Sequence, residues 1–264
     1  MTVSSYFNGL AGKLIIRDEE KESIRKSFDT LESRLKNHFG TEINFVLVFG
    51  SYHRNTILPR GYDYNSDVDV LIKFSDASYQ PQTYLNKLRR FAEYRYSSSE
   101  IYQSNPTIVL KLNHIKFELV PCIDAEWYES GNYKIPSKAS SYEKWLLTSP
   151  FEFNDTLTEK NRLCDYEIKP LIRVMKRWNV NTKYSKIYES FDLERKIVAY
   201  DFNYYNSNLK DYFYDFITNM YYLDLEYQYQ RNEVKTLVEK IKEIKSLESS
   251  YPIWAENELK KFFE

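Results

Sequence analysis

The chain has 264 residues, 37 Lys and Arg against 38 Asp and Glu, a formal net charge of -1, and 42% hydrophobic residues. That length carries one large domain or two small ones, and the composition is that of a globular protein, which excludes a disordered or fibrous chain. Near-zero net charge excludes a global polyanion binder, so any nucleotide site must be a local concentration of positive charge or metal.

Residues 1–17 carry little pattern. From Asp18 to Phe39 the apolar residues Ile24, Phe28, Leu31, Leu35 and Phe39 recur every three or four positions, which predicts an amphipathic helix closed by Gly40. Ile43–Phe49 reads as a buried strand. Asp67–Phe74 reads as a second, with Asp67, Asp69, Leu71 and Lys73 on one face and Val68, Val70, Ile72 and Phe74 on the other. Pro81–Tyr96 reads as a helix. Thr107–Leu112 and Ile115–Val120 read as strands joined by a hairpin turn at Asn113-His114. Residues 129–154, with Gly131, Pro136 and Pro150, read as irregular and as the crossing between two lobes. The remainder reads as helices over 155–178, 190–200, 208–222, 229–247 and 252–263, the first split or kinked at Pro170. The pattern predicts an α+β fold, with a mixed strand–helix lobe over 1–150 and a helical lobe over 151–264. A cleft between two lobes is a natural place for a small-molecule site.

Other features bound location and chemistry. Cys122 and Cys164 form neither a disulfide framework nor a metal knuckle and fit a reducing, cytoplasmic setting. No run approaches the ~20 apolar residues of a membrane span, so no membrane partner is expected. The 25 tyrosines read mainly as an amphipathic layer that packs the ring and wets the hydroxyl. Stacking of some of them on nucleobases is the sharper alternative.

The run from Phe49 to Phe74 carries the chemistry. Asp67 and Asp69 put two carboxylates side by side on one strand face, where they repel unless a cation sits between them. Glu118, in Lys116-Phe117-Glu118-Leu119-Val120-Pro121, is a lone acid among apolar neighbours, costly there unless paired or metal-bound. Pairing with Lys73 or Lys116 is the structural alternative. Together the three acids offer clustered hard oxygen ligands, which suit magnesium. Two such ions clamp a triphosphate and activate a hydroxyl for in-line displacement of pyrophosphate. Gly50-Ser51, directly after the first strand, lets the backbone approach a phosphate closely.

The phrases GSYHRNT, SDVDVLIKF and KFELVP resemble the catalytic lobe of the DNA polymerase-β-like nucleotidyltransferases, and more closely the bacterial cGAS/DncV-like enzymes of the SMODS family. Lys169 to Asn179 and Glu189 to Glu194 resemble that family's LhKxWN and SahLE segments (h apolar, a aromatic). Tyr133–Pro136 and Trp145–Pro150 resemble its connecting segment. The resemblance spans roughly residues 20–200. It implies a bilobal nucleotidyltransferase fold, a mixed-sheet catalytic lobe plus a helical lobe. Asp67, Asp69 and Glu118 would hold two magnesium ions, with manganese as the alternative. Gly50, Ser51, Lys176 and Ser190 would hold the triphosphate. Arg54 is open between a nucleotide contact and a partner for an acid such as Asp63. Lys176 as a solvated lysine and Ser190 as an ordinary helix N-cap are the bland alternatives. Asn55 stands where the family has Gly, of little consequence if the backbone there is helical.

The implied activity is template-independent joining of nucleoside triphosphates, NTPs or dNTPs, into a short oligonucleotide signal of bacterial anti-phage defence. The implied partners are the nucleotides and an effector protein that senses the product. The alternatives are linear, deoxy or protein-primed synthesis, transfer of one nucleotide to a protein or tRNA, and a non-catalytic nucleotide-binding domain.

Overall fold

In a computed structural model, residues 2–104, 106–125, 131–137, 144–183, 186–223 and 225–264 are described. In chain order they form α1 (Val3–Lys13), α2 (Asp18–Phe39), β1 (Ile43–Phe49), the one-turn α3 (Gly50–His53), β2 (Asp67–Phe74), α4 (Pro81–Arg95), β3 (Glu100–Ser104), β4 (Thr107–Lys111), β5 (Lys116–Asp124), β6 (Tyr133–Pro136) and β7 (Trp145–Thr148). Then come α5 (Glu152–Leu163), α6 (Ile168–Asn181), α7 (Ser190–Ala199), α8 (Leu209–Thr218), α9 (Gln228–Leu247) and α10 (Pro252–Lys260). The chain divides into a sheet unit, Ile16–Arg60 with Tyr64–Asn154, and a helical unit, Met1–Ile15 with Gly61–Asp63 and Asp155–Glu264.

The sheet unit is built on the strand order β1-β2-β5-β4-β3, with β6 paired to β5 and β7 to β6. β2 and β5 run parallel, while the other pairs are antiparallel, so the sheet is mixed. Alternation along β2 buries Val68, Val70, Ile72 and Phe74 with Phe117 and Leu119 of β5 and Ile108 and Leu110 of β4. Ile24, Leu31 and Leu35 of α2 and Leu85, Leu88 and Phe91 of α4 belong to the same core. The apolar stripes of these two helices thus answer the apolar face of the strands. A smaller cluster of Leu71, Val120 and Cys122, against Phe45, Phe49, Tyr133 and Ile135, occupies the opposite face. α2 ends where Gly40 takes a left-handed φ of 53°. Both cysteines are buried free thiols.

The helical unit is held by aromatic packing. Phe7 of α1 lies with its ring centroid 4.6 Å from Phe213 of α8 and 6.2 Å from Phe263. Residues 1–15 therefore group with the C-terminal helices, and the unit boundaries differ there from a split into 1–150 and 151–264. Tyr214 shows the packing role of tyrosine: its ring is buried and its hydroxyl donates to Glu248 Oε2 at 3.0 Å. Among the described residues no helix is long and apolar enough to cross a membrane.

Several elements differ from the expected pattern. α1 and β3 fall where no element is expected. Within 129–154 the expected irregular crossing contains the β6–β7 hairpin, while 129–130 and 138–143 lie outside the described residues. The expected helix over 155–178 divides into α5 and α6 ahead of Pro170, through left-handed Asp165 and Tyr166 at φ 51° and 64°. Pro170 then sits in the first turn of α6, where a helix does not use its missing N–H. Asn161 Oδ1 accepts from the Lys169 amide at 2.9 Å and so satisfies one of that turn's open donors.

Truncating Phe7 to Ala should destabilise the protein by about 3–5 kcal/mol, the usual cost of emptying a buried aromatic site. Urea denaturation measures this; a loss under about 0.5 kcal/mol, the usual surface value, would show that α1 is a detachable arm.

Candidate active site

The acidic face follows from strand register. β2 and β5 pair so that Asp67 lies opposite Lys116 and Asp69 opposite Glu118. In a parallel ladder such neighbours are about 4.8 Å apart and point to the same side. Asp67, Asp69, Lys116 and Glu118 therefore form one patch on the face away from the α2–α4 core. Lys116 Nζ lies 3.0 Å from Asp67 Oδ2 and 3.2 Å from Glu118 Oε1. Burial, then the Asp67 charge, push the Glu118 carboxyl above the usual carboxylate range, against the pull of Lys116. Burial alone would lower the Lys116 ammonium, but Asp67 and Glu118 together raise it. Lys73, the other expected partner for Glu118, instead pairs with Asp124 at 2.7 Å.

The three expected metal ligands thus share a face. Their side chains do not converge, however: among the described residues no group of three or more His, Cys, Asp or Glu side chains closes on a common point. Lys116 instead lies between Asp67 and Glu118. The donor set still fits a hard divalent cation: three carboxylates, two of them already drawn to one positive centre.

Gly50 joins β1 to this face. Phe49 is in register with Asp69, and Gly50 follows with φ +68°. A Cβ at position 50 would stand 1.9 Å from Asp69 Oδ2. Glycine is therefore required twice, by the left-handed backbone and by the carboxylate lying against it. After α3, Ser51 O accepts from the amides of Thr56 at 2.9 Å and Ile57 at 3.2 Å, turning the chain back beside the sheet. Asn55 makes that turn at φ 59°, so the backbone there is left-handed and not helical. Gly suits such a backbone, and Asn is the ordinary substitute. Arg54 is buried, with its guanidinium 5.3 Å from the Phe153 ring. His53 is exposed, and His114 in its turn meets Ser27 Oγ at 3.0 Å.

The other expected site residues belong to the helical unit. Lys176 is only 5% exposed and pairs with Glu194 of α7, itself fully buried. It is thus no solvated lysine, and its ammonium is committed to the interface between α6 and α7. Ser190 is the first residue of α7, with Glu189 at the cap position, so it is not the N-cap. Asn179 carries a role that the motif alone does not reveal. Its Oδ1 accepts from the amides of Ile187 and Tyr188 at 2.8 and 2.9 Å, and its Nδ2 donates to Tyr188 O at 2.8 Å. These bonds fix the approach to α7. Arg177 pins residues 61–63 to the same unit, donating to Tyr62 O at 3.0 Å and to Phe263 O at 2.8 Å. Burial lowers the Arg173 guanidinium to about 10.

The profile of the Second Messenger Oligonucleotide or Dinucleotide Synthetase domain, SMODS, matches residues 1–161. The chain belongs to the SMODS family. A cyclic AMP-AMP-AMP synthase from an Acinetobacter species is 27% identical over 221 residues, covering 81% of this chain and 62% of that protein. A probable cyclic nucleotide synthase from Bacillus cereus is 26% identical over 241 residues, covering 75% of this chain and 70% of its own length. The chain thus spans under two thirds of the first of these relatives. Among solved structures, the Vibrio cholerae cyclic AMP-GMP synthase DncV, in complex with a linear intermediate, superposes with a TM-score of 0.77. Identity there is 12%, over 99% of this chain and 96% of that one, so the likeness is one of fold. The mixed sheet with its helices is the fold of this SMODS class.

Gly50→Ala should cost at least about 1–2 kcal/mol from its left-handed backbone alone, and more from the clash with Asp69; a neutral result in chemical denaturation would refute the close approach. At position 55 the left-handed turn predicts that Gly is tolerated while Val costs more than about 1 kcal/mol. Lys176→Met should destabilise by about 3–5 kcal/mol by removing the counter-charge buried against Glu194, and adding Glu194→Leu should recover part of the loss. Thermal and urea unfolding of the single and double variants measure the recovery.

Proposed function

We propose that this chain is a metal-dependent, template-independent nucleotidyltransferase that joins nucleoside triphosphates into a short cyclic oligonucleotide with release of pyrophosphate. The observation that carries this reading is the register of Asp69 with Glu118 across parallel strands, with Asp67 on the same face and Gly50 held against Asp69. A lone structural carboxylate has no need of two more beside it, and the mutual repulsion argues for a cation among them. The two sequence relatives named as cyclic nucleotide synthases support the reaction class.

In this reading Asp67 and Asp69 hold the cations that accompany the donor triphosphate. Glu118, with its raised proton affinity, faces the incoming hydroxyl and is suited to take its proton. When bound, magnesium neutralises the triphosphate and acidifies the attacking hydroxyl; manganese has the same donor preference. The hydroxyl oxygen forms a bond to the α-phosphorus, and the bond from that phosphorus to the bridging oxygen breaks, so pyrophosphate leaves. A second displacement within the linear product closes the ring. Gly50, Ser51 and the turn through Asn55 bring the backbone close to the acidic face, which suits contact with phosphate oxygens. Arg54 beneath that turn supplies a fixed positive charge. The family resemblance supports a role for the product as a signal in bacterial anti-phage defence, sensed by an effector protein.

The double variant Asp67→Asn, Asp69→Asn should lose pyrophosphate release from NTPs by a factor of about a thousand or more, while circular dichroism shows an unchanged fold. Undiminished release would overturn the assignment. Mass spectrometry of products formed from each NTP and dNTP should show a cyclic oligonucleotide; a linear, protein-linked or absent product would replace that part of the reading.

A further inference from the structure

Lys116 stands on the same strand face as Glu118, two residues before it, and directly opposite Asp67. Its stem is largely covered, with 18% of the side chain exposed, and its ammonium bridges the two strands through Asp67 Oδ2 and Glu118 Oε1. Two of the three candidate metal-binding carboxylates thus share one internal cation. A divalent ion held by both carboxylates would compete with this ammonium for the same oxygens. The two cations repel each other.

We propose that Lys116 is a built-in counter-ion that competes with divalent metal for the acidic face and so ties metal entry to the arrival of nucleotide. This rests on the metal-dependent reading above. Free metal must displace the ammonium and leave it beside a second positive charge. A metal that arrives on a triphosphate brings anionic oxygens, which offer the displaced ammonium a new partner. Lysine suits such a swing, because its charge sits on four flexible methylenes. Lys116 is therefore a positioning residue that acts through Asp67 and Glu118. Its effect is on the order of binding, and it lies outside the chemical step.

The test is a titration of nucleotide-free protein with Mn2+, with free Mn2+ read by electron paramagnetic resonance. Lys116→Met and the polar neutral variant Lys116→Gln should each bind Mn2+ about tenfold or more tighter than wild type, the scale of removing one adjacent like charge. Lys116→Arg, which keeps the charge, should bind no tighter than wild type. Circular dichroism and melting confirm that each variant is folded, and Gln serves if Met does not fold. Equal or weaker Mn2+ binding by the neutral variants, with Asp67→Asn abolishing it, would overturn the competition alone. Absence of Mn2+ binding in wild type and all Lys116 variants, with and without a non-hydrolysable triphosphate, would overturn the metal reading and this inference with it. A gain in affinity that is equally large in Lys116→Arg would assign the effect to lost packing and overturn the role of charge.

Discussion

Parallel pairing of β2 with β5 is the constraint from which the acidic face follows. An antiparallel neighbour can be joined by a short turn, whereas a parallel one needs a crossover. Here the crossover takes α4, β3 and β4 between the two strands. The detour places Lys116 against Asp67 and Glu118 against Asp69. A slip of one residue would turn Glu118 into the apolar core and bring Phe117 out, so the buried side of the sheet fixes the chemistry on the open side. Burial of Phe117 and Leu119 with Val68 and Val70 is thus inseparable from the alignment of the acids.

The helical unit uses buried polarity in a comparable way. Lys176 and Glu194 neutralise each other between α6 and α7, and Asn179 meets the two amides that lead into α7. A buried polar group whose partners are fixed in this way admits few alternative arrangements. Lys176, Asn179 and Glu194 thus each have a partner inside the helical unit, independent of any contact with substrate.

Much of this was legible from residue patterns. The period-two alternation of β2 identified the faces of Asp67 and Asp69, and the isolation of Glu118 among apolar residues marked it as the third acid. The period of α2 and its glycine stop were likewise plain. α1 shows the helical spacing in Val3, Phe7 and Leu10, but over three turns only, and the partner that buries Phe7 stands some two hundred residues away. β6 and β7 are four-residue strands that gain their meaning from pairing with each other and with β5. Lys116 lay in full view within Lys-Phe-Glu, and its shared face with Glu118 follows from spacing alone. Its opposition to Asp67 needed the register. The left-handed turn at Asn55 and the Lys176–Glu194 pair depend on tertiary geometry that local pattern does not encode.

The contact of Phe7 with Phe263 has a consequence for the way the protein is made. On the ribosome, α1 emerges long before Phe213 and Phe263, the residues that cover it. At the usual pace of synthesis the apolar side of α1 waits roughly ten seconds to a minute for Phe263. The sheet unit, with its core drawn from residues 16–123, can collect its own partners well before then. The nascent chain therefore carries α1 with its apolar side open while the sheet unit is already complete. Such an intermediate is a natural client for chaperones that hold exposed apolar helices until their partners are made.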